Sequence, residues 1–143
     1  MELKDKIALV TGGGQGIGQV IGDNLAKSGA HVIFGDINLE NAKQSAEDVL
    51  ARRGNASATL LNVADPENVK VAFDSIAKEF KPLDILINNA GITKDGLFVR
   101  MKEDDWDRVL AVNLKGSFLC GQQAAKHMMK QRQGAIVNIA SIV

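Results

Sequence analysis

Apolar runs bounded by turn residues alternate along this chain with longer stretches in which apolar residues recur at helical spacing. Ile7, Ala8, Leu9 and Val10 offer no polar face to water, the pattern of a short strand buried on both sides. A helix is expected from about 16 to 28, with Ile17, Ile21 and Leu25 one turn apart as its buried face and Gly29 as its stop. Residues 31–36 read as a second strand and 39–53 as a second helix, closed by Gly54. A third strand covers 56–63, and Asp65 and Pro66 open a third helix, with the proline placed where no donor is lost. Val69, Phe73 and Ile76 give that helix its buried stripe. Residues 83–87 form a fourth strand, a polar loop runs from 91 to 101, a long helical region spans 104–131, and 135–140 is a fifth strand.

This alternation of strand and helix requires parallel strands joined by right-handed crossovers, with helices on both faces. The expected fold is therefore α/β, a doubly wound parallel sheet. One domain over 1–143 accounts for the whole pattern.

Composition narrows the function. Seventeen basic residues against seventeen acidic ones leave no formal net charge, and the pI is near 6.7, which argues against a nucleic-acid partner. A single cysteine, Cys120, excludes a disulfide framework and a Cys-rich zinc site, as in a reducing compartment, and the cytoplasm is the expected location. No stretch approaches the roughly 18 apolar residues of a membrane span, and the residues after Met1 are not those of a secretory signal. The chain contains no tyrosine.

The candidate chemistry begins in the turn after the first strand, Thr11-Gly12-Gly13-Gly14-Gln15-Gly16-Ile17-Gly18. Its glycines allow positive φ and close backbone approach, and the helix that starts there presents unpaired N–H groups to a phosphate. A nucleoside-triphosphate loop is excluded because Gln19 and Val20 stand where lysine and serine or threonine belong. The commoner G-x-G-x-x-G spacing also fails in every register; what fits is T-G-x-x-x-G-I-G. Asp36 ends the second strand 18 residues after Gly18, where a carboxylate accepts ribose hydroxyls and repels a 2′-phosphate. With neutral Gln15, Ile37 and Asn38 around it, NAD(H) is favoured over NADP(H). A helix cap is the competing role for Asp36, although Asn38 can take that position.

Thr11 and Gly12 with Gly16, Ile17 and Gly18, the run Asn88-Asn89-Ala90-Gly91, Asn113 and Ser141 together resemble the short-chain dehydrogenase/reductase family over the whole chain. The resemblance implies a Rossmann-like dinucleotide domain. It gives Gly12, Gln15, Gly16, Ile17, Gly18 and Asp36 to the cofactor and implies that Asn62 and Val63 hold the adenine. Asn88, Asn89, Ala90 and Gly91 would border the riboses, Asn113 would hold a relay water, and Ser141 would bond the substrate carbonyl. Read without the resemblance, Asn88 and Asn89 could form a simple turn and Asn113 could bond within a bent helix. Further stretches, Gly91 to Asp95, Arg100 to Lys102, Trp106, Val112 to Leu114 and His127 to Lys130, are similar to the branch of the family that reduces 3-oxoacyl groups on acyl-carrier protein. Sugar, alcohol and steroid dehydrogenases share most of these stretches.

The same resemblance implies that the proton donor is a tyrosine, followed four residues later by a lysine, both beyond the catalytic serine in a segment these residues do not include. By itself, the 143-residue chain is expected to bind dinucleotide without reducing a substrate. His31 and His127 read as structural or solvent-facing, Cys120 as a small buried hydrophobe, and Met128 and Met129 as gap fillers. Lys126, Lys130 and Arg132 suit a helix end by their charge, and Arg132 also matches an arginine that meets the acidic carrier protein. From Trp106 to Met129 the apolar arc is wider than one sheet needs: Trp106, Leu110 and Leu114 form one line, and Val109, Val112, Leu119 and Cys120 widen it. The expected assembly of the complete protein is a homotetramer, with poor solubility or non-native association for the short chain alone.

Overall fold

The structure, a computed structural model, describes residues 2–142. The strands are β1 (Ile7–Thr11), β2 (His31–Asp36), β3 (Asn55–Leu60), β4 (Ile85–Asn88) and β5 (Ala135–Asn138). The helices are α1 (Gly16–Lys27), α2 (Leu39–Ala51), α3 (Pro66–Glu79), α4 (Glu103–Leu110) and α5 (Gly116–Gln131). All strand pairs are parallel, in the order β3-β2-β1-β4-β5. The chain winds outward from β1 through β2 to β3, then crosses back to β4 and β5. The switch point between β1 and β4 is where such sheets bind ligands, beyond the carboxyl ends of the strands.

Alternation along β1 divides the core in two. Ile7 and Leu9 join Ile33, Phe73, Leu86 and Cys120 on the side covered by α3 and α5. Ala8 and Val10 join Val32, Phe34, Ala46 and Val49 on the side covered by α1 and α2. Both faces are apolar, which is why β1 reads as a continuous hydrophobic run. In α3 the Asp65 side chain accepts the N–H groups of Glu67 and Asn68 at 3.0 and 3.2 Å, with Pro66 in the first turn.

Several expected details change. The buried face of α1 is Gly18, Gly22 and Ala26, whereas Ile17 is 66% exposed and Ile21 and Leu25 pack only at the core margin. Both sets repeat every fourth residue; the small set wins because it lets the helix lie close against Phe34, whose ring occupies the space of a Gly22 side chain. α2 ends at Ala51, and Arg53, not Gly54, takes the left-handed conformation, with φ 62°. Gly54 is needed for room instead, since a methyl there would stand 2.6 Å from Val49 Cγ1. The third, fourth and fifth strands are shorter than expected, a 3₁₀ turn forms at Phe98–Arg100, and the long helix is broken by a π turn at Ala111–Lys115. No helix among the described residues is long and apolar enough to cross a membrane.

The amino end of β4 is held by side chains. Asp84 Oδ2 accepts the Ile7 N–H at 2.9 Å, with the Lys6 and Lys81 ammonium groups 3.5 and 3.3 Å from the carboxylate. On the preceding residue, the Leu83 N–H donates to His127 Nδ1 at 3.3 Å and Gln131 Nε2 donates to the Leu83 carbonyl at 2.7 Å. His127 also stands edge-on to Phe73, with ring centroids 5.9 Å apart. His31 shares a 3.0 Å hydrogen bond with the Ser57 hydroxyl and packs on Phe80. Burial holds both imidazoles below the ordinary histidine range; Asp74 opposes this at His127 while Lys130 adds to it, and Glu79 opposes it at His31.

A histidine whose pKa is lowered on folding binds protons more readily in the unfolded chain, so its stabilising contribution is complete at neutral pH and is lost as pH falls below the unfolded value. Protonation of His127 Nδ1 would also remove the acceptor for Leu83. Urea midpoints at about pH 7.5 and about pH 5.5, bracketing the free imidazole, are expected to show the acid loss, and His127→Gln should reduce it. An equal acid loss in that variant would show that other groups carry the dependence.

Candidate nucleotide site

The carboxyl ends of β1 and β4 are locked together by one hydroxyl. Thr11 Oγ1 donates to the Ile87 carbonyl at 3.4 Å and accepts the N–H groups of Asn89 and Ala90 at 3.0 and 2.9 Å. Asn89 returns the contact, its Nδ2 donating to the carbonyls of Thr11 and Gly12 at 3.1 and 3.2 Å. Gly12 then turns with φ 63°, and a methyl on it would stand 2.9 Å from Ala90 Cα. The turn is thus glycine by necessity of both conformation and room.

α1 starts from this turn without a side-chain cap and without an acidic residue in its first turn. Its first N–H groups are therefore available to an anion, reinforced by the positive end of the helix dipole. Gly16, with φ 54° and open space where a side chain would lie, keeps the approach clear.

A groove of about 370 Å³ opens in front of these amides. Of the residues expected to bind a cofactor, Gly12, Gln15, Gly16, Ile17, Asp36, Asn62, Val63, Asn89, Ala90 and Gly91 all line it. Gly18 does not; it is buried behind the turn, where any side chain would overlap the Gly12 carbonyl. Asn88 also lies away from the groove, donating through Nδ2 to the Ser117 carbonyl and Asn138 Oδ1 at 3.2 and 2.9 Å. The helix-cap alternative for Asp36 falls to Asn38, whose side chain accepts the Asn41 N–H. Asp36 instead accepts the Gly14 and Asn38 N–H groups, both at 2.9 Å, and among the described residues is the one charged side chain in the groove wall. Asn62 accepts the Ala64 N–H at 3.1 Å through Oδ1.

Asn113 sits in the π turn, and its side-chain amide pairs with the Ile92 backbone in both directions, accepting at 2.8 Å and donating at 2.9 Å. The in-helix alternative for its side chain is thus replaced by a tie to the loop that follows β4. Gly116, at the start of α5, lets the helix pass Val63 closely, since a methyl there would stand 2.6 Å from Val63 Cγ2. Ser141 is exposed beyond β5, whose pairing with β4 extends to the Ile139 N–H, so it leaves the sheet at the same end as Asn89. Neither Asn113 nor Ser141 lines the groove.

Sequence reasoning left out the apolar wall made by Ile37, Leu61, Ile92 and Val112. Only their positions just after strands or in the kinked helix could have signalled it. Cys120 is fully buried, and burial pushes its thiol up to about 12, which leaves it inert at neutral pH.

Residues 6–143 match the family described as short chain dehydrogenase, and the chain belongs to that family. It is 43% identical over its whole length to the 3-oxoacyl-[acyl-carrier-protein] reductase FabG of Thermotoga maritima and equally identical to that of Vibrio cholerae. It spans 58% and 57% of the lengths of those two proteins. A gluconate 5-dehydrogenase from Burkholderia cenocepacia, solved with NADP and tartrate, superposes with a TM-score of 0.92 at 35% identity, covering 98% of this chain and 55% of that one.

Asn113→Ala removes both bonds to Ile92. Because the pair is solvent-exposed, the expected loss of global stability is small, about 1 kcal/mol, whereas the 92–101 loop should be cut much faster in limited proteolysis. Unchanged cleavage would show that the loop is held elsewhere.

Proposed function

We propose that the protein containing this chain is a nicotinamide-dependent oxidoreductase that reduces a 3-oxoacyl thioester on acyl-carrier protein. The observation that carries the dinucleotide reading is the uncapped, glycine-opened start of α1 facing a groove whose only charged wall residue, among those described, is Asp36. Backbone N–H groups of Gly16 and Ile17 would meet the pyrophosphate, with Gly18 packed behind them against the Gly12 carbonyl. Asp36 would accept the adenosine ribose hydroxyls, Asn62 and Val63 would hold the adenine, and Asn89, Ala90 and Gly91 would line the path toward the nicotinamide ribose. The nicotinamide, when bound, supplies the hydride.

Ser141 would orient the carbonyl of the substrate and Asn113 would hold a relay water. Because the Asn113 side chain is committed to Ile92, that water would be held by the Asn113 backbone carbonyl, which also accepts the Ser117 hydroxyl at 3.3 Å. Proton donation is assigned to none of these residues, which include no tyrosine. The carrier-protein reading is supported by the names of the similar proteins and by exposed Arg132 beside Lys126 and Lys130. A sugar-acid substrate is the second reading, favoured by the gluconate dehydrogenase likeness. Oxidation of NADH by the full-length protein is expected with an acetoacetyl thioester. Turnover with 5-ketogluconate and none with the thioester would replace the first reading by the second.

Asp36 makes NADH the expected partner over NADPH, since a second negative charge at the 2′ position would face the carboxylate without a compensating cation. Asp36→Ala should narrow that preference by roughly tenfold in fluorescence titration, the scale of one hydrogen bond to a charged group. Equal affinities in the parent protein would show that Asp36 does not face the ribose.

We also propose a homotetramer. Trp106, Leu110, Leu114 and Phe118 are exposed along one face of α4 and α5, while Leu119, Cys120 and Ala124 face the core. An isologous contact would cover that line. Sedimentation of the full-length protein should give four subunits, and a monomer at micromolar concentration would refute the assembly.

A further inference from the structure

Gly14 shares with Gly13 and Gly18 a φ that is not positive and a place outside the groove lining, but of the three it is the one whose N–H donates to Asp36. Its φ is not positive, so its backbone would accept other residues, and it does not line the groove wall. What it has is position. Its N–H donates to Asp36 Oδ2 at 2.9 Å, while the Asn38 N–H holds Oδ1 at the same distance. A methyl at Gly14 would stand 2.8 Å from Asp36 Oδ2, 3.0 Å from Asp36 Cγ and 2.8 Å from Asn41 Cβ.

We propose that Gly14 is the positioning residue for dinucleotide preference: its bare Cα and its N–H together hold the Asp36 carboxylate in the ribose subsite. This rests on the reading of Asp36 as the ribose ligand. The two backbone donors take one lone pair on each oxygen and fix the side-chain rotamer, leaving the remaining lone pairs pointing in set directions. Such a carboxylate needs no reorganisation to accept two hydroxyls, and its charge cannot swing aside to admit a 2′-phosphate. Any side chain at position 14 breaks this arrangement from one of two sides. Either the carboxylate rotates away from the turn, or α2 retreats at Asn41; each weakens the hold on Asp36.

Asn41 Cβ is fixed on a helix, so Gly14→Ala alone could fail by displacing α2. Removing that obstacle isolates the effect on Asp36. In Gly14→Ala/Asn41→Gly the Asn41 Cβ is gone and the new methyl still stands 2.8 Å from Asp36 Oδ2, and Asn41→Gly alone is the control, since its backbone N–H still caps to Asn38 Oδ1. The full-length protein is titrated with NADH and with NADPH by fluorescence. Relative to the Asn41→Gly control, the double variant is expected to lose the NADH preference by roughly tenfold, the scale of a charge-assisted hydrogen bond, with NADPH affinity retained or improved. In an Asp36→Ala background the Gly14→Ala change should leave the ratio where it is.

An unchanged ratio in the double variant overturns the proposal, and so does a parallel loss of both dinucleotides, which would make Gly14 a packing residue only. Should Asp36→Ala narrow the preference and the double variant not, this inference alone falls. Should Asp36→Ala leave the preference intact, the ribose reading falls and takes this inference with it.

Discussion

The site depends on a single hydroxyl. Thr11 Oγ1 accepts two consecutive N–H groups from Asn89 and Ala90 and donates to Ile87, and in doing so it fixes where β1 and β4 stop relative to each other. Two parallel strands that diverge at a switch point have no ladder partner for the residues just beyond their ends. Those buried backbone groups must be satisfied or the ends fray. Thr11 and Asn89 supply the bonds reciprocally, so the glycine turn leaves β1 and the Ala90-Gly91 wall leaves β4 at a set separation. At the opposite end of the same strand pair, Asp84 accepts the Ile7 N–H, and the two central strands are thereby tied at both ends by side chains.

Close approach is the second constraint, and small residues supply it on each side of the groove. Gly18 and Gly22 let α1 lie against the turn and Phe34; Gly116 lets α5 pass Val63. These contacts bring two helices, one from each face of the sheet, to the edge of one crevice. A larger residue at any of them would widen the crevice and move the amides of α1 or the loop held by Asn113. The groove is therefore a consequence of packing on both faces, not of the loops alone.

How much of this can be read without coordinates follows from the same physics. Strands buried on both faces announce themselves as unbroken apolar runs, and the Asp65-Pro66 start of α3 carries its own chemistry, so element order was legible. The turn and Asp36 were legible because few other uses exist for that many glycines between a strand and a helix. Two stripes of equal period on α1 were not separable, since periodicity does not say whether large or small residues face the sheet. Asn88 and Asn89 are identical neighbours, yet strand alternation sends one toward α5 and β5 and the other toward Thr11, and nothing in the residue type distinguishes them. The π turn at Ala111–Lys115 has no compositional mark at all, because it arises from where Asn113 must stand to reach Ile92.

Asn113 shows how the two halves of the crevice communicate. Its amide reproduces a strand-like pairing with Ile92, two residues beyond the wall at Ala90, so the exposed loop carrying Leu97, Phe98 and Val99 is anchored to the kinked helix rather than to the sheet. A π turn closes its hydrogen bonds over one more residue than an α turn, here from the Gly116 N–H to the Ala111 carbonyl. On the same helical turn the Asn113 carbonyl accepts the Ser117 hydroxyl at 3.3 Å. The insertion therefore serves the loop, setting Asn113 where both arms of its amide reach the Ile92 backbone.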